Sequence, residues 1–469
     1  MIIDRILGVE TEYGIAALTN TGATVVEPEV AARVAFRSVA KQYGSTNVFI
    51  PNGGRLYLDV GAHPEFATPE CTGVSQLVAY QEAGDRIVDT LTRQAEQHLA
   101  ATHPDTRVVA FKNNVDFAGN SYGCHENYLV TRDVTVRGLG HSLLPFLLTR
   151  QLICGAGRIA VPPPGHPSAQ YGVGFVLSQR ADYVWESVSS ATTRSRPMIN
   201  TRDEPHADSH RYRRLHVIVG DSNMAQPSTA LKVGSMMLVL EMIEAGYELP
   251  RLELLNHVDA IREIARHLDG SAMVHLDEGV DMTALDIQKR YLDAAHRWLV
   301  QRPADEDSNA EMARVVDLWQ RVIDAISAGE PERVATEIDW IAKWKLITAY
   351  QSRHQLAWDD PRMRQLDVSY HDIRPGRGIA RVLESKGLIS RWVDETAVET
   401  ARHTAPTTTR AHLRGRFLAA AENADATAGT VSCDWMRLKV GGEVVELPDP
   451  FATVSADVDA LIESLQQVG

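Results

Sequence analysis

Apolar and polar positions alternate over Arg5–Tyr13 and again over Arg55–Val60, the period of a half-buried strand. In the first run Leu7 and Val9 share one face, and Gly8, Glu10 and Glu12 share the other. In the second, Leu56, Leu58 and Val60 point one way and Arg55, Tyr57 and Asp59 the other. A strand facing bulk water has no need of an arginine, a tyrosine and an aspartate in register, whereas a strand lining a polar cleft does. Gly61 ends this run, and a loop then carries His63, Glu65 and Glu70 back past its end. Helical spacing runs through residues 28–43, 75–101, 143–154, 227–246, 250–268, 282–301, 309–328 and 332–356. Ser75 is placed to cap the second of these. Trp298, Trp319, Trp340 and Trp344 read as packing residues. Further strands are predicted at 108–112, 128–131, 171–180 and 213–221, and polar, turn-rich loops at 113–127 and 367–378. The pattern makes an α+β protein. A composition change at Thr404-Ala405-Pro406-Thr407 predicts a large domain over 1–403 and a small one over 404–469, with a helix from Thr409, a strand 432–440 containing Trp435, and a terminal helix 457–467.

Composition narrows the function. The chain has 469 residues and a formal charge of −14, which disfavours non-specific binding to nucleic acid or anionic membranes. Four cysteines (Cys71, Cys124, Cys154 and Cys433) form no Cys-x-x-Cys pair, so reduced thiols in a cytoplasmic protein are expected. The N-terminus lacks the basic and apolar regions of a signal peptide. The most apolar helical stretch, Leu231–Ile243, includes Lys232 and Glu241 and is too short to span a bilayer.

Glu10 and Glu12 on one strand face are costly without a nearby cation. They mark either a solvated edge or a metal site that uses at least Glu10. His125-Glu126-Asn127 at the mouth of a strand could collect ligands or serve a turn. The cation-rich segments Thr192–Arg196 and Asn200–Arg211 are either a phosphate site or a charged surface loop. A lone histidine such as His216 in a strand reads first as a packed core residue. No phosphate-binding Gly-x-x-x-x-Gly-Lys-Ser/Thr loop, dinucleotide fingerprint or kinase motif set is present. Carboxylates with an imidazole suit magnesium beside a nucleotide. Metal and arginine handling phosphate without a glycine loop is the chemistry of carboxylate–amine ligases that run through an acyl phosphate.

Several long motifs carry a specific resemblance. They are Gly8-Val9-Glu10-Thr11-Glu12-Tyr13-Gly14, Asn52-Gly53-Gly54-Arg55-Leu56-Tyr57-Leu58-Asp59, His63-Pro64-Glu65, Ser121–Tyr128, Ser189–Arg194, His371–Gly376, Thr408–His412 and Asp434-Trp435-Met436. Together they resemble the Pup ligase family, within the glutamine synthetase-like carboxylate–amine ligases, over nearly the whole chain. The resemblance implies a curved antiparallel sheet forming an active-site cradle and a small C-terminal domain closing on the nucleotide. It implies that ATP phosphorylates the side-chain carboxylate of the C-terminal glutamate of Pup, a prokaryotic ubiquitin-like protein. A lysine of a target protein then attacks, and the product is marked for the proteasome. By position, Glu10, Tyr57 and Glu65 match magnesium ligands, Arg55, Thr68 and Trp435 match ATP contacts, and Asp59 matches the catalytic base. A monomer is expected.

Residue chemistry points the same way. Near pH 7 only about one exposed lysine in 2,500 is neutral, and attack needs the neutral amine. A fixed carboxylate such as Asp59 can take the proton. The nearest rival is the sister family that removes or deamidates Pup on the same fold. It carries a long insertion for which the stretch between Gly14 and Pro51 leaves no room. A scaffold without chemistry is opposed by Glu10, Asp59 and Glu65, and a ligase for small molecules is the third reading.

Overall fold

The computed structural model describes every residue except 60, 117–118, 134–135, 191–195, 251, 278, 424–430 and 468–469. The facing of Val60 and Arg194 of the segment Thr192–Arg196 therefore lie outside the described residues.

An eight-stranded sheet organises the molecule. Its strands are β1 (Leu7–Glu12), β2 (Asn47–Phe49), β3 (Arg55–Leu58), β4 (Pro64–Ala67), β5 (Cys124–Thr131), β6 (Glu186–Ser189), β7 (Pro197–Asn200) and β8 (Tyr212–Val217). In space they run β6-β7-β8-β5-β1-β4-β3-β2. All pairs are antiparallel except β6 with β7, which is parallel. The alternation expected for β1 is present: Leu7, Val9 and Thr11 are buried, and Gly8, Glu10 and Glu12 are not fully covered. Leu7 and Val9 pack against Val74, Leu77 and Val78 of helix α1 (Val74–Ala100), so the opposite face of β1 is left for chemistry.

Helix α2 (Gln226–Glu244) is buried on every side as far as Met242, so no polar face could appear in its sequence. Its charges are matched rather than exposed. Lys232 donates to the Asp221 carbonyl at 2.7 Å, and Glu241 accepts from Arg302 at 2.8 Å and from the Trp298 indole at 2.9 Å. Among the described residues no helix is long and apolar enough to cross a membrane.

Several elements differ from the sequence expectation. The 28–43 helix breaks at Phe36 into Pro28–Ala35 and Arg37–Tyr43, and the buried side of its first half is Ala31, Ala32 and Ala35 rather than Val30 and Val34. Ser75 does not cap α1. The free N–H groups of Val74 and Ser75 are taken by the Glu311 carboxylate at 2.8 and 2.6 Å, and the Ser75 hydroxyl instead accepts from Trp392. The 143–154 helix begins earlier, at Val136, and is split at Arg150. Only Gly174–Val176 of 171–180 is a strand. Residues 252–256 are not helical, and the helix there is His257–Arg266. A turn of 3-10 helix, Pro331–Val334, precedes the helix Asp339–His354.

From residue 404 the chain forms helices α3 (Ala411–Glu422) and α4 (Ala456–Gln467) around a three-stranded sheet. The strand expected over 432–440 is two strands, Val431–Cys433 and Arg437–Val440, and Trp435 sits in the turn between them. Leu413, Phe417, Leu438, Val458 and Leu461 make a separate apolar cluster, which Phe49 of edge strand β2 enters. Buried Glu70 ties this segment to the main sheet through ion pairs with Arg410 and Arg414.

Candidate active site

Register builds the site. In an antiparallel sheet, residues directly opposite share a face. Tyr57 stands opposite Glu65, and Glu65 opposite Glu12. In the next row Arg55 stands opposite Ala67, Ala67 opposite Glu10, and Glu10 opposite His125. His216 follows across β5, opposite Asn127. Two neighbouring rows thus gather three glutamates, a tyrosine, an arginine and a histidine on one face.

Contacts follow from those rows. The Tyr57 hydroxyl donates to Glu10 Oε1, and His125 Nδ1 lies 3.1 Å from Glu10 Oε2. The His125 and His216 rings meet edge to face at 5.0 Å. Ligand atoms of Glu10, His125 and His216 lie within 4.8 Å of one another, as do those of Glu12, Asp59 and Glu65. Asp59 is exposed at the free end of β3, its backbone N–H donating to the His63 carbonyl at 3.0 Å. Glu12 also accepts from the Gly123 N–H at 2.7 Å.

Two of the three glutamates, Glu10 and Glu65, are driven apart in acidity. Burial opposes ionisation of Glu10, but the hydrogen bond and charge of His125, with His216 and Arg214 beyond, hold its carboxyl at about 2. Burial and then the charges of Glu10, Glu12 and Asp59 push Glu65 up to about 11. Burial, the His125 charge and Arg214 press His216 down to about 3, so its ring is neutral. Among the described residues, Glu65 Oε1 and both ring nitrogens of His216 are buried without a hydrogen-bond partner. A carboxylate centre with an orphaned buried oxygen fits a hard divalent cation, which would replace the proton on Glu65.

Beside this centre a cavity of about 140 Å³ runs along β1, and Arg55, Thr68 and Trp435 all line it. The Thr68 hydroxyl accepts from the Val9 N–H at 3.1 Å. The Arg55 guanidinium lies over the Tyr57 ring at 4.4 Å. Trp435 reaches the cavity because its turn packs it edge-on against Phe49 at 4.9 Å. Glu10, Arg55, Thr68 and Trp435 thus line the cavity, Tyr57 reaches it through its bond to Glu10, and Asp59 and Glu65 group with Glu12 beside it.

A family model described as "Pup-ligase protein" matches residues 5–439. The chain belongs to the Pup-ligase family. Among its relatives in that family, a Pup–protein ligase of Corynebacterium glutamicum (strain R) is 55% identical over 465 residues, covering 98% of this chain and 96% of the relative. A Pup–protein ligase of Corynebacterium efficiens is 54% identical over 466 residues, covering 98% and 94%. In solved structures, the complex of the prokaryotic ubiquitin-like protein Pup with its ligase PafA superposes with a TM-score of 0.94 at 52% identity, covering 100% of this chain and 92% of that one. The Pup ligase PafA in complex with ADP gives a TM-score of 0.86 at 55% identity, covering 95% of both chains. The α+β architecture around a large antiparallel sheet is the family's fold.

The sequence left Glu12, His125 and His216 open between a site role and a structural one, and the structure brings all three into the centre. His125 was placed in a loop, yet Cys124–Thr131 is one strand, with Cys124, Glu126 and Tyr128 buried and His125 and Asn127 facing the site. The alternation was present in the sequence but masked by the charge of Glu126, which is buried against Arg150 at 2.7 Å. The cation-rich segment divides. Arg202 and His210 stay outside, Arg202 pairing with Glu204 at 3.5 Å. Pro205, His206 and Ala207 line the cavity, where the cations are Arg55, Arg214 and Arg410.

Proposed function

We propose that this chain is an ATP-dependent ligase that joins the side-chain carboxylate of the C-terminal glutamate of Pup to lysine amines of target proteins, through a γ-glutamyl phosphate. Its relatives carry that name at 55% identity over nearly full length, and one solved relative holds ADP. The observation that carries the reading is the placement of Asp59. It is an exposed carboxylate within 4.8 Å of Glu12 and Glu65, at the open edge of a centre that adjoins the cavity lined by Arg55, Thr68 and Trp435.

Roles follow from chemistry. Arg55, Thr68 and Trp435 hold ATP in the cavity, with Arg55 aimed at phosphate charge. Glu10, Tyr57 and Glu65 would hold magnesium, which would offset the charge of the transferring phosphoryl group. Asp59 takes the proton from the incoming lysine ammonium, so that the neutral amine attacks the acyl phosphate and inorganic phosphate leaves. Residues 1–403 form the catalytic domain, and 404–469 the small domain that contacts the nucleotide through Trp435. The protein works in the cytoplasm, as a monomer.

The test is a conjugation assay with glutamate-ended Pup, MgATP and a lysine-bearing target. ADP and a conjugate larger by one Pup are expected. Ammonia released from glutamine-ended Pup, with no conjugate, would assign the chain to deamidation instead.

A further inference from the structure

Strand register divides the site face into successive rows, because residues two apart on a strand share a face about 7 Å from each other. Along β1 the cavity takes the stretch from Ile6 to Glu10, and Glu12 lies one row further on, opposite Glu65. Phosphoryl transfer from a nucleotide in that cavity falls at the Glu10 and Glu12 rows. The amine must therefore meet the acyl phosphate beyond them.

A further row lies there, past the ends of the strands. Leu58 pairs with Pro64, and the Asp59 N–H donates to the His63 carbonyl at 3.0 Å, so Asp59 stands opposite His63. On the other side the Tyr13 N–H donates to the Pro64 carbonyl at 2.9 Å, and the same count places Gly14 opposite His63. Glycine has no side chain to add, and the Tyr122 ring fills its place: a Cβ at 14 would lie 3.8 Å from Tyr122 Cζ. The outer row is thus Asp59, His63 and Tyr122.

The rings of His63 and Tyr122 meet edge to face, with centroids 4.8 Å apart. Tyr122 is buried and held on three sides. Its hydroxyl donates to Asp116 Oδ2 at 3.0 Å, its N–H to the Asn114 carbonyl at 2.8 Å, and its carbonyl accepts from Arg180. His63 is half-buried, so it presents the surface and Tyr122 braces it. Its neighbour Ala62 is pinned as well, donating to the Asp59 carbonyl at 2.9 Å with a left-handed backbone at φ 61° that persists only where the surroundings hold it. A ring flank beside an exposed carboxylate suits a lysine, whose methylene stem lies along apolar surface while its ammonium seeks charge.

We infer that His63 lines the slot that receives the target lysine, with Tyr122 as its positioning residue, so that the pair sets the preference for a long-chain amine. This rests on the ligase reading, since it takes Asp59 as the acceptor of the lysine proton. In the slot the amine nitrogen bonds to the acyl carbon, the bond from that carbon to the phosphate oxygen breaks, and Asp59 keeps the proton. Hydroxylamine makes the same attack but has no stem to lay along a ring. The test measures kcat/KM for conjugation of a lysine-bearing target and for hydroxamate formation on glutamate-ended Pup, both with MgATP, and takes their ratio. His63→Ala is expected to lower the ratio at least about tenfold, since the fit of a single methylene in an apolar pocket carries about that much. His63→Phe keeps a ring, loses both nitrogens and is expected to restore most of the ratio. Tyr122→Leu removes the brace and is expected to lower the ratio too, which decides the matter if H63A does not fold. An unchanged ratio, whether both reactions slow together or neither does, overturns the slot, and so does an H63F ratio as low as that of H63A. Wild type that forms neither product sinks the ligase reading and the slot with it.

Discussion

Tyr57 of β3 and Glu10 of β1 are hydrogen-bonded across the intervening strand β4, the tyrosine hydroxyl donating to Glu10 Oε1. With His125 on Oε2, both oxygens of Glu10 are engaged from opposite sides. Tyr57 is proposed to hold the metal beside Glu10, and losing even a partner that only orients a metal-holding carboxylate costs about 10–100-fold in metal affinity. Tyr57→Phe is therefore expected to raise the magnesium Kd by at least about tenfold, read by titration of the ADP complex. An unaltered Kd would remove Tyr57 from the centre.

Gly123 tests how tightly the centre is packed. A Cβ there would lie 2.5 Å from His125 Nε2 and 2.9 Å from Glu12 Oε1. The neighbours that must move are side chains of the centre itself, so Gly123→Ala should damage chemistry more than folding. Displacements of this size can cost about a hundredfold in rate. Conjugation rate and melting temperature measured on the same preparation separate the two, and a full-rate variant would show that these side chains can shift harmlessly.

What the sequence disclosed was whatever follows from local alternation. Glu10, Glu12, Arg55, Tyr57 and Asp59 could be assigned to a polar face because Leu7, Val9, Leu56 and Leu58 define the other. The row that joins Tyr57 to Glu65 to Glu12 could not, because it depends on β4 pairing with both β1 and β3, and β4 was expected to be a loop. Long-range partners were equally hidden. The N-terminus of α1 is satisfied by Glu311, 236 residues from Ser75, and no nearby residue signals it. Trp435 was legible through its family motif, whereas its arrival in the cavity depends on Phe49 and Arg414 from elsewhere in the chain.

Gly84 of α1 lies against Phe66 of β4. A Cβ at 84 would fall 2.2 Å from Phe66 Cδ1, with both residues buried. Overpacking of a filled core costs about 1–3 kcal/mol. Gly84→Ala is expected to lower the melting temperature, and Phe66→Leu in the same chain to recover part of the loss. Simple additivity of the two substitutions would show that this contact is not the cause.

Asp59→Asn keeps the shape of the side chain and removes its ability to take a proton. Conjugation is expected to fall by about 10²–10⁴ while ATP affinity is unchanged. The pH profile is the sharper reading. Without the carboxylate the reaction depends on lysine that is already neutral, a fraction that rises about tenfold per pH unit below the lysine value of about 10.4. The D59N rate is therefore expected to climb steeply between neutral and alkaline pH, narrowing the gap to wild type. A variant that conjugates at the wild-type rate at neutral pH would reject Asp59 as the base.

Glu70 joins the C-terminal segment to the sheet, and its acidity gives that joint a pH dependence. Burial opposes its ionisation, but Arg414 and Arg410 prevail and hold the carboxyl at about 2. Unfolded, a glutamate titrates near 4.3, so the folded value is the lower one. Its stabilising contribution, about 3 kcal/mol, is fully present above the unfolded value and disappears as pH falls through the folded one. Near pH 3 about half of it remains. Glu70→Gln removes the charge and leaves two buried arginines without their partner, so it is expected to melt well below wild type at pH 6. The difference between the two proteins should shrink by about half at pH 3, since protonation strips wild type of the same charge. Thermal melts of both at the two pH values decide it. A constant difference would mean that Glu70 acts through shape, and that the joint does not depend on its charge.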